Sequence, residues 1–320
     1  MAGDAPSMKP AWAPSAAPEL LERRARATRA IRGFFDAQRF VEVETPALVP
    51  SPGLELHLDA LEVSGARARR FLHTSPEYHM KRLLAAGMPR IYQLCKVYRS
   101  DEHGSLHEPE FTMLEWYRAH ADFQQVMQDT ERLVASVAEA LSGDSAITGK
   151  TGPIDLAPPW ERLSVHEAFE RYAGVRVDSL LPDEESFYRV LIERVEPALG
   201  RNKPTFLTHY PASMASLARL SRDDPSVAER FEAYVDGIEL CNGFSELTDA
   251  SEQRTRFEAD LVQRRRLGKP PYPIDERFLA ALEHGMPEAA GNALGVDRLL
   301  MLLLGEHDVS SVIAFSADRA

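Results

Sequence analysis

Only two of the 320 residues are cysteine, Cys95 and Cys241, and both sit inside apolar, strand-like runs. That scarcity excludes a disulfide-stapled secreted scaffold and predicts buried thiols in a reducing compartment. No uninterrupted apolar span reaches the ~20 residues that a membrane helix needs. The N-terminus also lacks a basic-then-apolar leader pattern. Positive charge is in short supply: 37 Lys and Arg stand against 49 Asp and Glu, for a net charge of −12. A nucleic-acid reader ordinarily carries a basic stripe. Here the basic clusters are short, Arg23–Arg29, Arg67–Arg70 and Arg264–Arg266, and each reads as a solvated face. The balance therefore argues against a tRNA platform. What is present is ordinary globular composition, 44% hydrophobic and 27% charged, in a chain long enough for a sizeable core. The expectation is a cytoplasmic enzyme.

Residues 1–17 are rich in Ala and Pro without periodicity and are expected to form a disordered tail ahead of a catalytic domain over 18–320. Pro18 opens a helix in which Leu21, Ala25, Thr28, Ile31 and Phe35 follow helical spacing. The extended run FVEVETPALV follows. Thr74 or Ser75 is placed to cap a helix whose first turn holds Pro76 and Glu77. Further helices are expected over 119–141, 251–267 and 275–284. A helical insertion over about 142–200 is expected to open with a loop or small hairpin over 142–159 and continue in two helices over 163–174 and 182–199, and it shows no chemistry.

Three segments concentrate chemistry. In Tyr92–Tyr117, YQLCKVYRSDEHGSLHEPEFTMLEWY, two strand-like runs flank a polar loop. Alternation puts Phe111, Met113, Glu115 and Tyr117 on one face. Gln93, Cys95, Val97 and Arg99 share parity, so Arg99 stands at the mouth of a loop carrying Asp101, Glu102, His103 and His107. A guanidinium beside a ring can hold a nucleotide, cation on phosphate and ring on base. In RFEAYVDGIELCNGFSELTDA, Asp236-Gly237 between apolar runs predicts a hairpin. Glu232 lies on its first strand; Glu239, Asn242 and Glu246 lie on the second. Carboxylates flanked by Ile238, Leu240 and Phe244 are costly unless paired or metal-bound. Asn242 and Glu246 share parity but Glu239 does not, so one common pocket requires a bulge near Cys241–Gly243. Last, GNALGVDRLLMLLLG reads as a glycine-rich strand feeding a buried helix over 296–304. Gly291 and Gly295 permit close backbone approach, and Asp297 and Arg298 are its polar exceptions.

The run R-S-D-E-H-G-S-L-H-E-P-E-F resembles motif 2 of the class II aminoacyl-tRNA synthetases. The first helix, the strand after it and Pro46 resemble motif 1, and the glycine-rich strand with its helix resembles motif 3. The runs TSPEYHMKRLL, PEFTMLEWYR, PTFLTHYPAS, GIELCNGFSELTDA and VIAFSADRA are similar to the elongation factor P lysine ligases, a lysyl-tRNA synthetase-like family. The resemblance implies an α+β fold, a mainly antiparallel sheet flanked by helices, in a homodimer. It also implies a reaction: ATP activates lysine or (R)-β-lysine as an aminoacyl-adenylate, which passes to the ε-amine of a lysine on elongation factor P.

Residue by residue, the resemblance makes Arg99, Arg298 and Glu239 catalytic. It places Ser100, Asp101, His107, Glu108, Phe111, Leu240 and Gly295 around ATP, and it makes Glu232 and Glu239 the Mg²⁺ ligands. Glu115, Tyr117 and Glu246 would take the side-chain ammonium, and Ser75, Pro76, Glu77 and Asn242 the substrate's other amine and carboxylate. Ala293 stands where lysyl-tRNA synthetases typically carry glycine, a small methyl that reshapes the pocket for β-lysine. Asp101 stands where motif 2 usually has glutamate, with Glu102 as its substitute, and Glu108 stands where asparagine is usual. Two other readings stay open. One is a truncated lysyl-tRNA synthetase charging tRNA, disfavoured because no anticodon-binding barrel precedes motif 1. The other is a non-catalytic lysine- or nucleotide-binding paralogue, disfavoured by the intact Arg99, Glu239 and Arg298.

Overall fold

The computed structural model describes residues 10–65 and 67–320. One eight-stranded sheet organises it. Its strands, in chain order, are β1 (Val41–Glu42), β2 (Arg90–Tyr98), β3 (Glu110–Ala119), β4 (Glu161–Ser164), β5 (Thr205–Pro211), β6 (Val227–Val235), β7 (Ile238–Ser245) and β8 (Ala289–Gly295). Across the sheet they run β1-β2-β3-β8-β7-β6-β5-β4. Only the two edge pairs, β1 with β2 and β4 with β5, are parallel. The α+β, mainly antiparallel architecture follows from the sequence pattern: two hairpins supply β2–β3 and β6–β7, and β8 zips between them.

The main helices are α1 (Pro18–Ala37), α2 (Glu77–Ala85), α3 (Phe123–Ser142), α4 (Ala250–Arg266), α5 (Glu276–Gly285) and α6 (Val296–Leu304). Asp122 starts α3 by accepting the Gln125 amide, and Gly143, in the left-handed region, stops it. Residues such as Ile31 and Phe35 of α1, Val126 and Val134 of α3 and Leu300 of α6 form one core with Trp116 and Leu294 of the sheet. A second core joins α2, α4 and α5 through Tyr78, Phe257 and Phe278. The sheet is thus clad by both groups, and the functional cavity lies among its central strands. No helix among the described residues is long and apolar enough to cross a membrane. Both cysteines are free thiols, and burial pushes each up to about 12.

Two expectations need correction. Residues 1–9 of the expected tail lie outside the described residues, but residues 10–17 are held in place. The Ser15 and Ala16 amides donate to the carbonyls of Ala314 and Ile313, and Ala16 is buried. The small side chains that weaken helix and strand patterns also let this segment lie flat on the C-terminal segment. The insertion holds the small hairpin expected of it, Ala146–Gly149 with Gly152–Asp155, and two helical runs over 165–173 and 184–198, with the edge strand β4 as the added element. The second correction concerns the bulge. Cys241 pairs with Ala233 and Glu239 with Tyr234, so the extra residue is Leu240, just ahead of the expected position. Its effect is the one required, since it puts Glu239 in phase with Asn242, Phe244 and Glu246.

At two glycines the sheet demands the absence of a side chain. A Cβ on Gly243 would sit 2.5 Å from the Phe231 ring and 2.7 Å from the Gly291 carbonyl. A Cβ on Gly291 would enter the Tyr117 ring and stand 2.9 Å from Glu246 Oε1. Gly291→Ala is therefore expected to destabilise the protein by ~1–3 kcal/mol in urea unfolding, because overpacking outweighs the stabilisation that comes from the lower entropy of the unfolded chain. A variant as stable as wild type would show that Tyr117 can move. Gly295 differs from the expectation of close approach: its Cβ would meet only the aliphatic part of Arg298, at 3.8 Å.

Candidate active site

A cavity of about 570 Å³ opens over β3, β8 and β7. Strand periodicity delivers Phe111, Met113, Glu115 and Tyr117 from β3 to one wall. The bulged β7 contributes Glu239, Leu240, Asn242 and Glu246 just beyond it, β8 supplies Ala293 and Gly295, and α6 supplies Arg298. Of the other expected residues, Ser75, Glu77, Arg99, His107 and Glu108 also line it. The two ends of this space differ in charge.

One end holds both arginines, each beside a carboxylate, Glu102 and Glu239. The Arg298 guanidinium donates to the carbonyls of Leu106 (3.2 Å) and Glu239 (3.0 Å), and to His107 Nε2 at 2.6 Å. A guanidinium has no acceptor, so Nε2 must be the unprotonated nitrogen of His107. Burial, reinforced by Arg298, lowers the His107 pKa and keeps the imidazole neutral. Arg99 lies 5.0 Å over the Phe111 ring and donates to Glu102 at 3.0 Å. Behind this end, Asp297 fixes the start of α6: it accepts from the Thr112 amide (2.7 Å) and from Arg24 of α1 (2.5 Å).

The other end is anionic. Glu115 is buried and accepts from the hydroxyls of Tyr117 (2.6 Å) and Ser75 (2.7 Å). Ser75 in turn accepts the Glu77 amide at 3.0 Å, which fixes the first turn of α2. Burial, then the neighbouring Glu77 carboxylate, pushes Glu115 up to about 8. Burial likewise pushes Glu246 up to about 8, with Lys81 opposing the shift and Glu77 adding to it. Lys81 is fully buried, and its ammonium stands 2.6 Å from Glu77 Oε1 and 2.5 Å from Glu246 Oε2.

Four expected site residues do not reach the cavity wall. Pro76 turns the chain into α2. Ser100 is tied to the Asp59 carbonyl through its amide and hydroxyl. Asp101 points to solvent, and Glu102 lines the cavity instead. Glu232 is buried, with one oxygen taken by Arg230 (2.7 Å) and the other by the hydroxyls of Tyr210 (2.5 Å) and Tyr234 (2.7 Å). Three donors neutralise it in place, and no group of three or more His, Cys, Asp or Glu suited to a metal gathers among the described residues. Glu239, with 39% of its side chain exposed at the cavity, is the carboxylate that fits a cation. Glu108 lines the cavity and also accepts the Ala317 amide at 2.9 Å.

Sequence reasoning missed Lys81, Glu55 and Arg230. Lys81 had a signal, since Glu77 and Lys81 are four residues apart on one helix face. Glu55 and Arg230 line the cavity from a loop and from β6 and had none. Arg264, read as solvated, is fully buried; its guanidinium donates to the carbonyls of Glu55 and Leu58 and to Asp59, which pins the loop that carries Glu55.

An antiparallel sheet that carries an arginine at a hairpin loop, a second arginine on the helix after a glycine strand, and an acidic pocket between them defines a class II aminoacyl-tRNA synthetase catalytic site. Residues 13–319 match the model of the family described as tRNA synthetases class II (D, K and N), and the chain belongs to that family. It is similar to the elongation factor P–(R)-β-lysine ligase of Edwardsiella ictaluri (strain 93-146), with 45% identity covering 97% of this chain and 98% of that protein. The same-named ligase of Pectobacterium carotovorum subsp. carotovorum (strain PC1) is 46% identical over 97% of this chain and 98% of its own length. That of Salmonella gallinarum is 44% identical with the same coverage.

Proposed function

We propose that this chain is an ATP-dependent ligase that activates lysine or (R)-β-lysine and transfers it to the ε-amine of a lysine on elongation factor P. The observation that carries the reading is one cavity that holds two arginines and an aromatic ring at one end and three carboxylates, two of them bound to a buried lysine, at the other. A carboxylate does not acylate an amine at useful rates unaided. Its oxygen attacks the α-phosphorus of ATP, the bond to the bridging oxygen breaks, and pyrophosphate leaves. Two anions must meet in that step, so preorganised cations lower its barrier. Arg99 is assigned the substrate carboxylate and α-phosphate, and Arg298, aligned by neutral His107, the terminal phosphate. Phe111 is assigned the adenine. Glu239 is the residue that would hold Mg²⁺, which would offset phosphate charge. In the second step the acceptor amine attacks the acyl carbon and AMP leaves.

Glu115, Tyr117 and Glu246 are assigned the side-chain ammonium, and Glu77 with Asn242 the substrate's other amine and its carboxylate. Carboxyls held near 8 must lose their protons to accept an ammonium. KM for lysine is thus expected to fall as pH rises from 6 toward 8, by about tenfold per pH unit for each carboxyl that must ionise, up to about a hundredfold per unit for the two together, and then level off. A KM flat across that window would contradict the assignment. The elongation factor acceptor is taken from the names of the relatives, and a homodimer in the cytoplasm completes the reading. The test incubates the enzyme with ATP, lysine or (R)-β-lysine, and either purified elongation factor P or total tRNA. Mass gain on the protein supports the proposal. Charged tRNA with no mass gain, or no amino-acid-dependent pyrophosphate exchange at all, overturns it.

A further inference from the structure

Lys81 belongs to neither end of the cavity and yet controls both carboxylates that α2 and the β7 exit bring to it. It sits on α2 one turn after Glu77, with no exposed surface. Its ammonium is clamped between Glu77 Oε1 at 2.6 Å and Glu246 Oε2 at 2.5 Å. The Phe244 and Phe278 rings lie 5.2 and 5.8 Å from the same nitrogen, so the cation is walled in by rings and carboxylates. Each carboxylate gives one oxygen to Lys81 while its residue lines the cavity. With Glu115 and Glu246 ionised, as substrate binding requires, the three carboxylates Glu77, Glu115 and Glu246 less this one resident ammonium leave two negative charges.

We infer that Lys81 is a specificity-determining positioning residue: by bridging Glu77 and Glu246 it fixes the distance between the two places where a substrate's two ammonium groups bind. This deepens the proposed function and rests on it. Two charges left over match the two ammonium groups of a lysine-type substrate. Moving one amine along the chain by a carbon displaces it by about 1.5 Å. Two loosely held carboxylates would follow that displacement; two carboxylates tied to one buried ammonium cannot. Buried ion pairs contribute more dependably to register than to stability, and here the register is that of the substrate.

The test is Lys81→Met, which keeps the length and apolar packing of the side chain. Amino-acid-dependent ATP–pyrophosphate exchange is measured with lysine and with (R)-β-lysine. The expected result is a KM for the preferred isomer raised about tenfold or more, kcat within about threefold, and KM for ATP unchanged. The kcat/KM ratio between the two isomers is expected to fall about tenfold, within the range that a one-carbon discrimination spans. A merely structural role would lower the midpoint of unfolding and leave that ratio where it was, and that result overturns the inference. If Lys81→Met does not fold, Lys81→Gln, which keeps a donor between the carboxylates without the charge, is read by the same ratio. Exchange by the wild-type enzyme is measured first; its absence with both isomers would remove the proposed function itself, separately from the role of Lys81.

Discussion

Arg298→Ala is expected to slow amino-acid-dependent ATP–pyrophosphate exchange by about 10²–10³-fold, corresponding to ~3–4 kcal/mol of lost transition-state stabilisation. The size follows from how the guanidinium is held. Two backbone carbonyls and the neutral His107 ring fix its plane before any ligand arrives, so no reorganisation is needed when charge develops on the phosphates. Among the described residues the competing carboxylate is Glu239 at 3.4 Å, which is partly exposed and screened. The loss should appear in kcat, with KM for lysine little changed, because Arg298 stands at the opposite end of the cavity from Glu115 and Glu246. Urea unfolding of the variant checks that the fold persists. Exchange within tenfold of wild type in a folded Arg298→Ala protein would remove Arg298 from the phosphate site.

Glu246→Gln is expected to reduce kcat/KM for lysine by about 10²–10⁴-fold, the range given by the 3–5 kcal/mol cost of breaking a buried ion pair. The amide has nearly the same shape as the carboxylate but carries no charge. The substrate's ammonium would lose one of its two counterions at a buried position, and among the described residues Lys81 would keep Glu77 as its one carboxylate partner. The defect should lie in lysine binding, with KM for ATP within a fewfold of wild type. A Glu246→Gln enzyme that saturates with lysine at wild-type concentrations would show that the acidic end is not the ammonium site.

Much of this site was legible before any coordinates. Phe111, Met113, Glu115 and Tyr117 share a wall because side chains in a strand alternate whatever surrounds them. Asp236 and Gly237 make the tight turn because both take positive φ, 53° and 75°. The need for a bulge was also legible, since Glu239 and Asn242 could share a face in no other way. Its position at Leu240 was not, because a bulge is placed by the register of two strands and not by the sequence of one.

By itself, then, the sequence determined the local frame: the strands and their inward faces, the hairpin turn, the start of α2 at Pro76–Glu77, and the identity of the two arginines and three carboxylates. These follow from backbone geometry and short-range spacing, which neighbours along the chain fix. Only the tertiary structure decided which charges meet. It gave Glu232 to two tyrosines and Arg230, and turned Asp101 outward in favour of Glu102. It also set Lys81 between Glu77 and Glu246 and aligned Arg298 on His107. The physical reason is that a charge buried away from water must find its partner in space, and partners far apart in the chain are chosen by sheet register and helix packing.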